Sequence, residues 1–428
     1  MSVIQNLGAL GIGDTRKDAL AIVDAAYAAI DIAGVIEKKI HIQGDQLHIM
    51  DSTHHVSGRR VYFVGIGKCA IRAGHAIENL LGHALTGGIL FDVSASDKKS
   101  LKMETYIGTH PLPSETNVQA SERILESLAG RREDDLVIML ISGGGSSLLT
   151  LPEAPMTSAD ESALFETLTA QGAPIQDLNT VRKHTSRVRG GALAMAAYPA
   201  RVISLIVSDV PGDNVETVAS GPTVFDPSTV ADAQRILKKY HVTPPERTIF
   251  LETTKDEKYF KHVTNILFLS SQDALAGMQS EALKRGYKVE MADTHFTGES
   301  RDVAHAIVEK LHGTGPRTAV LYAGESTVTL DTHEGKGGRN QEMALAALGT
   351  LSSDELVLPF ASDGHDNTEH AGAIADEITR GHTDEKKLSI DESLKEHRSY
   401  EFFEKTGDAL TTGPLESNVA DLVVALKA

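Results

Sequence analysis

The sequence predicts an α/β fold, a parallel sheet with helices on both faces followed by a second, smaller α/β series. Three observations predict it. Apolar runs of strand length alternate with stretches of helical spacing along most of the chain. The strand runs are continuously apolar rather than alternating, the pattern of strands buried on both faces. The 37 glycines of the 428 residues are clustered, and the clusters recur just after strands, where open α/β sheets bind ligands.

The elements follow in order. Residues 19–34 read as an Ala-rich helix interrupted by Asp24 and Asp31, far short of a membrane span. Residues 60–65 read as a buried strand, 69–81 as a helix, 88–92 as a second strand and 117–128 as a helix. The strongly apolar 136–142 is a strand, 178–197 a long basic helix, and 202–208 the next strand. A polar stretch with Pro244 and Pro245 precedes a second series. It has strands at 266–269, 287–291, 318–322, 326–330 and 356–360, and helices at 273–284, 300–311 and 339–351. The boundary is placed near residue 245, giving domains 1–245 and 246–428. The last glycine segment opens a terminal apolar helix.

Composition narrows the function. Lys plus Arg total 41 against 59 Asp plus Glu, a net charge of −18, so nucleic acid is an unexpected partner. An anionic small substrate remains compatible, because a local basic cleft can sit in an acidic body. The single cysteine, Cys69, forbids an intrachain disulfide and fits a reducing compartment; no targeting or membrane segment is read, and the cytoplasm is the expected location. The 18 histidines show no zinc spacing.

The chemistry is carried by the glycine segments. Gly65-Ile-Gly67-Lys68-Cys-Ala70 joins a strand to a helix, a turn that exposes backbone N–H groups to phosphate. Asp92, at the end of the next strand, would complete a dinucleotide site and a reductase reading. Lys68 instead suits phosphoryl transfer, where a cation offsets charge on the moving group. Ser142, Gly143, Gly144, Gly145, Ser146 and Ser147 form a backbone-lined concavity suited to phosphate or carboxylate. It lacks the lysine of a Walker A loop.

Residues 208–213 and 220–223 supply Asp209 and Asp213 as Mg2+ or hydroxyl partners, though either could simply cap a turn. Gly324-Glu325 follows a strand, and 335–342 delivers Arg339, Asn340 and Gln341 to a helix start. Arg339 can grip an oxyanion with two parallel hydrogen bonds. Asp363 and Asn418 lie in the last two segments. The basic run Arg182, Lys183, His184, Arg187 and Arg189 could face an anion, but most of its members read as a solvated face.

As an ordered set, these segments resemble the MOFRL-type, or class II, D-glycerate 2-kinases. The resemblance is carried by 65–68, 109–113, 142–147, 208–213, 220–223, 337–342, 363–366, Gly413-Pro414 and Asn418, and runs from about residue 15 to the C-terminus. It implies a Rossmann-like N-terminal domain, a smaller α/β C-terminal domain and an active site in the cleft between them. It also implies ATP-dependent phosphorylation of D-glycerate at its 2-hydroxyl, with Mg2+ or another divalent cation. Its two proposed key residues correspond to Lys68 and Arg339. The expected partners are D-glycerate and ATP, with no nucleic acid or membrane and a homodimer as one option. The chain departs from the family pattern at Ser326, at Ala361-Ser362, and at Glu416, where a small residue is usual. The last departure leaves a related hydroxy acid open as acceptor. Hydroxypyruvate reductase and non-catalytic nucleotide sensing are the competing readings.

Overall fold

The computed structural model describes residues 2–96, 98–210, 212–330 and 335–428; Pro211 of the third glycine segment lies outside them. The chain divides into two compact units. One is Ile32–Phe268; the other joins the chain up to Asp31 to Leu269–Ala428. The division thus falls after Phe268 rather than near residue 245, and the N-terminal helix belongs with the C-terminal unit.

Both departures have physical causes. Residues 246–268 are fastened to the first unit: Leu251 N–H donates to the His184 carbonyl (2.8 Å), and Thr253 Oγ1 to Asp226 (2.9 Å). Helix Asp14–Ile30 is bound to the other unit by buried charge and apolar packing. Arg16, 1% exposed, pairs with Asp376 (2.6 Å) and Asp408 (2.8 Å). Asp18 accepts from Arg285 (2.8 Å), and Tyr27 OH donates to the Ala361 carbonyl (3.0 Å). A buried arginine needs such partners, because desolvation makes an unpaired charge costly.

The first unit opens with a small antiparallel sheet, β1 (Ile40–Gln43), β2 (Gln46–Ile49) and β3 (Ser52–His55). Its main sheet has six strands: β4 (Val61–Ile66), β5 (Leu85–Asp92), β6 (Met103–Ile107), β7 (Leu136–Ile141), β8 (Arg201–Val207) and β9 (Val263–Leu269). The spatial order is β6-β5-β4-β7-β8-β9, with β4 to β8 paired in parallel. Every residue of β7 is buried, as the continuous apolar run requires. The run at 266–269, expected to begin the second series, is the edge strand of this sheet.

The expected helix over 178–197 is two helices, Ile175–Lys183 and Ala192–Ala197. Gly190 (φ +55°) and Gly191 (φ +83°) take left-handed conformations directly before the second helix, so the two cannot run on as one.

The second unit holds β10 (Lys288–Met291), β11 (Phe296–Glu299), β12 (Thr318–Thr327), β13 (Glu355–Ala361), β14 (Gly372–Ala373), β15 (Ala409–Leu410) and β16 (Asp421–Lys427). The sheet is mixed, ordered β10-β12-β16-β13-β14-β15, with β11 beside β12. One strand, β12, replaces the two expected at 318–322 and 326–330.

The expected C-terminal helix is strand β16, antiparallel to both β12 and β13. Its residues 422–426 are fully buried, so both faces of the strand are covered. A short apolar run looks the same as a buried strand or a helix segment; burial on both faces and β-branched Val423 and Val424 favour the strand. No single described helix is long and apolar enough to cross a membrane.

Candidate active site

Counted along the chain, strands β4 to β9 lie in the order third, second, first, fourth, fifth, sixth. The direction of winding reverses between β4 and β7, and doubly wound sheets bind ligands beyond the carboxyl ends of such a pair. Gly65–Lys68 leaves β4 and Ser142–Ser147 leaves β7. Lys68 N–H donates to the Gly143 carbonyl (3.0 Å), and Ser142 N–H to the Ile66 carbonyl (2.9 Å).

This approach needs glycine. Gly67 has φ +117°, and a Cβ on it would lie 2.1 Å from Ser142 Oγ. Gly143 lies directly against Asp209, whose Oδ2 would be 2.3 Å from a Cβ there. Gly144 faces His110 and the Lys68 side chain, each 3.4 Å from its Cβ position. Lys68, Asp209, Gly143 and Gly144 are therefore one cluster, with Lys68 and Asp209 half-buried.

Several sequence-predicted residues take other roles. Asp92 is no free ribose partner: it is 3% exposed, and its carboxylate accepts from the backbone N–H groups of Ile71 (2.9 Å) and Val93 (2.7 Å). It caps the helix Ala70–Leu81, so an internal carboxylate occupies the helix start expected to receive phosphate. Burial raises its pKa, opposed by those backbone hydrogen bonds. Gly65 is buried in strand β4. The Ser142 hydroxyl donates to the Ile66 carbonyl (3.3 Å), which makes it a loop brace. Gly145 is buried against Ala219, while Ser146 and Ser147 remain half-buried. Asp213 is half-buried, with φ +53°.

Two supports for this loop were not read from sequence. Buried Asn117 donates to the carbonyls of Thr109 (3.0 Å) and Ser147 (3.0 Å), tying 109–113 to the glycine loop. Its signal was an amide three residues into a helix that starts at Ser114. Arg189, expected on a solvated face, is 2% exposed; it donates to the Ser146 carbonyl (2.7 Å) and pairs with buried Glu161.

The second unit builds a different cluster around helix Arg339–Leu348. Arg339 pairs with Glu325 (2.5 Å) and with Asp421 (2.5 Å). Burial opposes its charge, but Asp421 and Glu325 outweigh that and hold the guanidinium above its ordinary pKa. Burial pushes the Asp421 carboxyl up to about 7; Arg339 pulls it down and Asp366 pushes it up. Asp421 was missed in sequence because it reads as the polar first residue of an apolar run.

Buried Asp366 accepts from the backbone N–H groups of Asn340 (3.0 Å) and Gln341 (2.8 Å). Asn340 is fully buried with its amide on Asp366 (3.2 Å), so it braces the helix start. Gly338 permits this: a Cβ there would lie 1.9 Å from the Asp366 carbonyl. Asp363 is half-buried and accepts from His365 N–H (3.1 Å), and Asn418 accepts from Ser362 Oγ (3.3 Å).

Comparison with known proteins gives this architecture its class. A family model described as "Domain of unknown function (DUF4147)" matches residues 18–251, and one described as "MOFRL family" matches 318–421. A glycerate 2-kinase from Pyrococcus horikoshii is 34% identical over 434 residues, 96% of this chain and 97% of the relative. A solved glycerate kinase structure from Thermotoga maritima superposes with a TM-score of 0.84 at 30% identity, covering 95% of this chain and 98% of that one. A relative from Agrobacterium vitis, 34% identical over 85% of this chain and 86% of its own length, carries the provisional name hydroxypyruvate reductase. The chain belongs to the MOFRL-type glycerate kinase family.

Proposed function

We propose that this protein transfers the terminal phosphoryl group of ATP to the 2-hydroxyl of D-glycerate, giving 2-phospho-D-glycerate and ADP. The observation that carries the reading is Lys68 against the Gly143–Gly144 loop at the sheet's switch point, in a chain 34% identical over nearly its whole length to a glycerate 2-kinase.

Phosphoryl transfer asks the protein for positioning and charge compensation more than covalent chemistry. The backbone N–H groups of Gly143, Gly144 and Ser146 would hold phosphate oxygens, since those of Ser142, Gly145 and Ser147 bond within the fold, and Lys68 offsets charge on the moving group. Arg339, in the second unit, is the other cation the family resemblance offers, its fork suited to a carboxylate or a phosphate. It must give up some of its pairing with Glu325 or Asp421 to take either.

A divalent cation such as Mg2+ would neutralise phosphate charge when bound. Mg2+ is usually held by one or two carboxylates plus substrate phosphates rather than by a protein cage. Among the described residues no group of three or more His, Cys, Asp or Glu side chains gathers. Asp209, beside Gly143, is a carboxylate placed at the loop that could hold the cation.

The reductase reading has less support, because the carboxylate it needs, Asp92, is bound to a helix start. The buried Cys69 supports a reducing compartment such as the cytoplasm. Glycerate-dependent ADP formation tests the proposal. NAD(P)H oxidation with hydroxypyruvate, without ADP formation, would favour the reductase.

A further inference from the structure

Arg182 ends the helix Ile175–Lys183 with its guanidinium over the Phe165 ring, 4.6 Å from the centroid. Its neighbours in the basic run all have partners. Lys183 pairs with Asp226 (3.2 Å), Arg187 with Glu153 (3.3 Å) and Arg189 with Glu161, while His184 Nδ1 bonds the Leu251 carbonyl (2.8 Å). Among the described residues, no side chain or carbonyl pairs with the Arg182 guanidinium, and its Nε is buried without a hydrogen bond. The acid whose charge bears on it, Glu161, is taken by Arg189. Burial, and then the Arg189 charge, lower its pKa to about 10. A cation held largely out of water with no hydrogen-bonded counter-charge costs stability, which a ligand oxyanion would relieve.

The main chain of this helix end is tied to the glycine–serine loop. Arg189 donates both to the Arg182 carbonyl (3.4 Å) and to the Ser146 carbonyl (2.7 Å). One turn earlier on the same helix, Asn179 accepts from Ser220 Oγ (2.9 Å), which lies 3.5 Å from Ser146 Oγ. The helix end and the glycine–serine loop are thus linked twice within one unit.

We propose that Arg182 is an oxyanion anchor, left without an internal partner so that it takes the carboxylate of the acceptor acid or a phosphate of the nucleotide. Arginine's planar fork matches either group with two hydrogen bonds. The inference rests on the kinase reading above.

The test compares wild type, Arg182→Gln and Arg182→Lys in steady-state kinetics with D-glycerate and ATP varied separately, beside their melting temperatures. The Gln variant is expected to raise one KM about tenfold to a hundredfold, with Lys restoring part of it. A raised glycerate KM identifies the carboxylate; a raised ATP KM identifies phosphate. The Gln variant keeps or raises Tm, because it removes a cation that burial disfavours. Unchanged KM values with a lowered Tm would make Arg182 a structural stack on Phe165 and overturn the proposal. Thermal shift with inorganic phosphate separates the two claims. If the wild type forms no ADP with glycerate, the kinase reading fails. The anchor still stands if phosphate stabilises wild type and not the Gln variant, and falls if both respond alike.

Discussion

The turn before helix Ala70–Leu81 and the turn before helix Arg339–Leu348 solve one packing problem beside different cations. In each, glycine lets another segment come to within Cβ-forbidden distance: Gly67 against Ser142, and Gly338 against Asp366. In each, a buried aspartate from elsewhere in the chain caps the helix, Asp92 in one and Asp366 in the other. The cations beside them differ. Lys68 lies against the glycine loop that also meets Asp209, whereas Arg339 is paired with Glu325 and Asp421 of its own unit. Glycine clusters here position side chains and backbone N–H groups, and the helix starts themselves are satisfied internally.

Lys68→Ala should break the comparison most deeply. Loss of a cation that acts mainly in the transition state is expected to lower kcat about 10²- to 10³-fold with a smaller change in KM. ADP release under saturating ATP and glycerate measures it. A change confined to KM would make Lys68 a binding residue only.

Gly67→Ala and Gly338→Ala come next, and both should destabilise by about 2–4 kcal/mol in denaturant melts. The Gly67 change combines a left-handed backbone with overlap at Ser142, while the Gly338 change meets the Asp366 carbonyl. If either protein keeps wild-type stability, the close approach at that turn is wrong.

Asp92→Asn and Asp366→Asn should each cost about 1–2 kcal/mol, because an amide N–H₂ then faces backbone N–H donors. Equal losses would sharpen the parallel between the caps. No loss at Asp92 would reopen its assignment as a ribose partner.

The smallest effect is in pH. Asp421 is raised from 3.8 to about 7 in the folded chain. Folding therefore favours its protonated form, and that contribution is lost as pH rises from about 4 to about 7. Asp421→Asn should show a flatter stability profile across this window than wild type. Parallel profiles would show that Asp421 titrates as an ordinary carboxylate.

Much of this was legible in the sequence, for reasons the elements make plain. Strands β4, β7 and β8 were readable because burial on both faces leaves an unbroken apolar run. The order of glycine segments placed Lys68 and Arg339 correctly at strand–helix turns. What escaped was non-local. The strand identity of β16 depends on partners some 70 and 100 residues away in sequence. Asp92 looked ligand-facing, and Arg189 lay in a run read mostly as a solvated face, because their partners lie across the fold. Asn117 and Asp421 had only weak local signals. The N-terminal helix could not be assigned to the second unit without seeing Arg16 meet Asp376 and Asp408.

The most direct measurement is product identification after incubation with ATP, Mg2+ and D-glycerate. The account predicts stoichiometric ADP and 2-phospho-D-glycerate. Formation of 3-phosphoglycerate, or no ADP beyond a glycerate-free control, would contradict it.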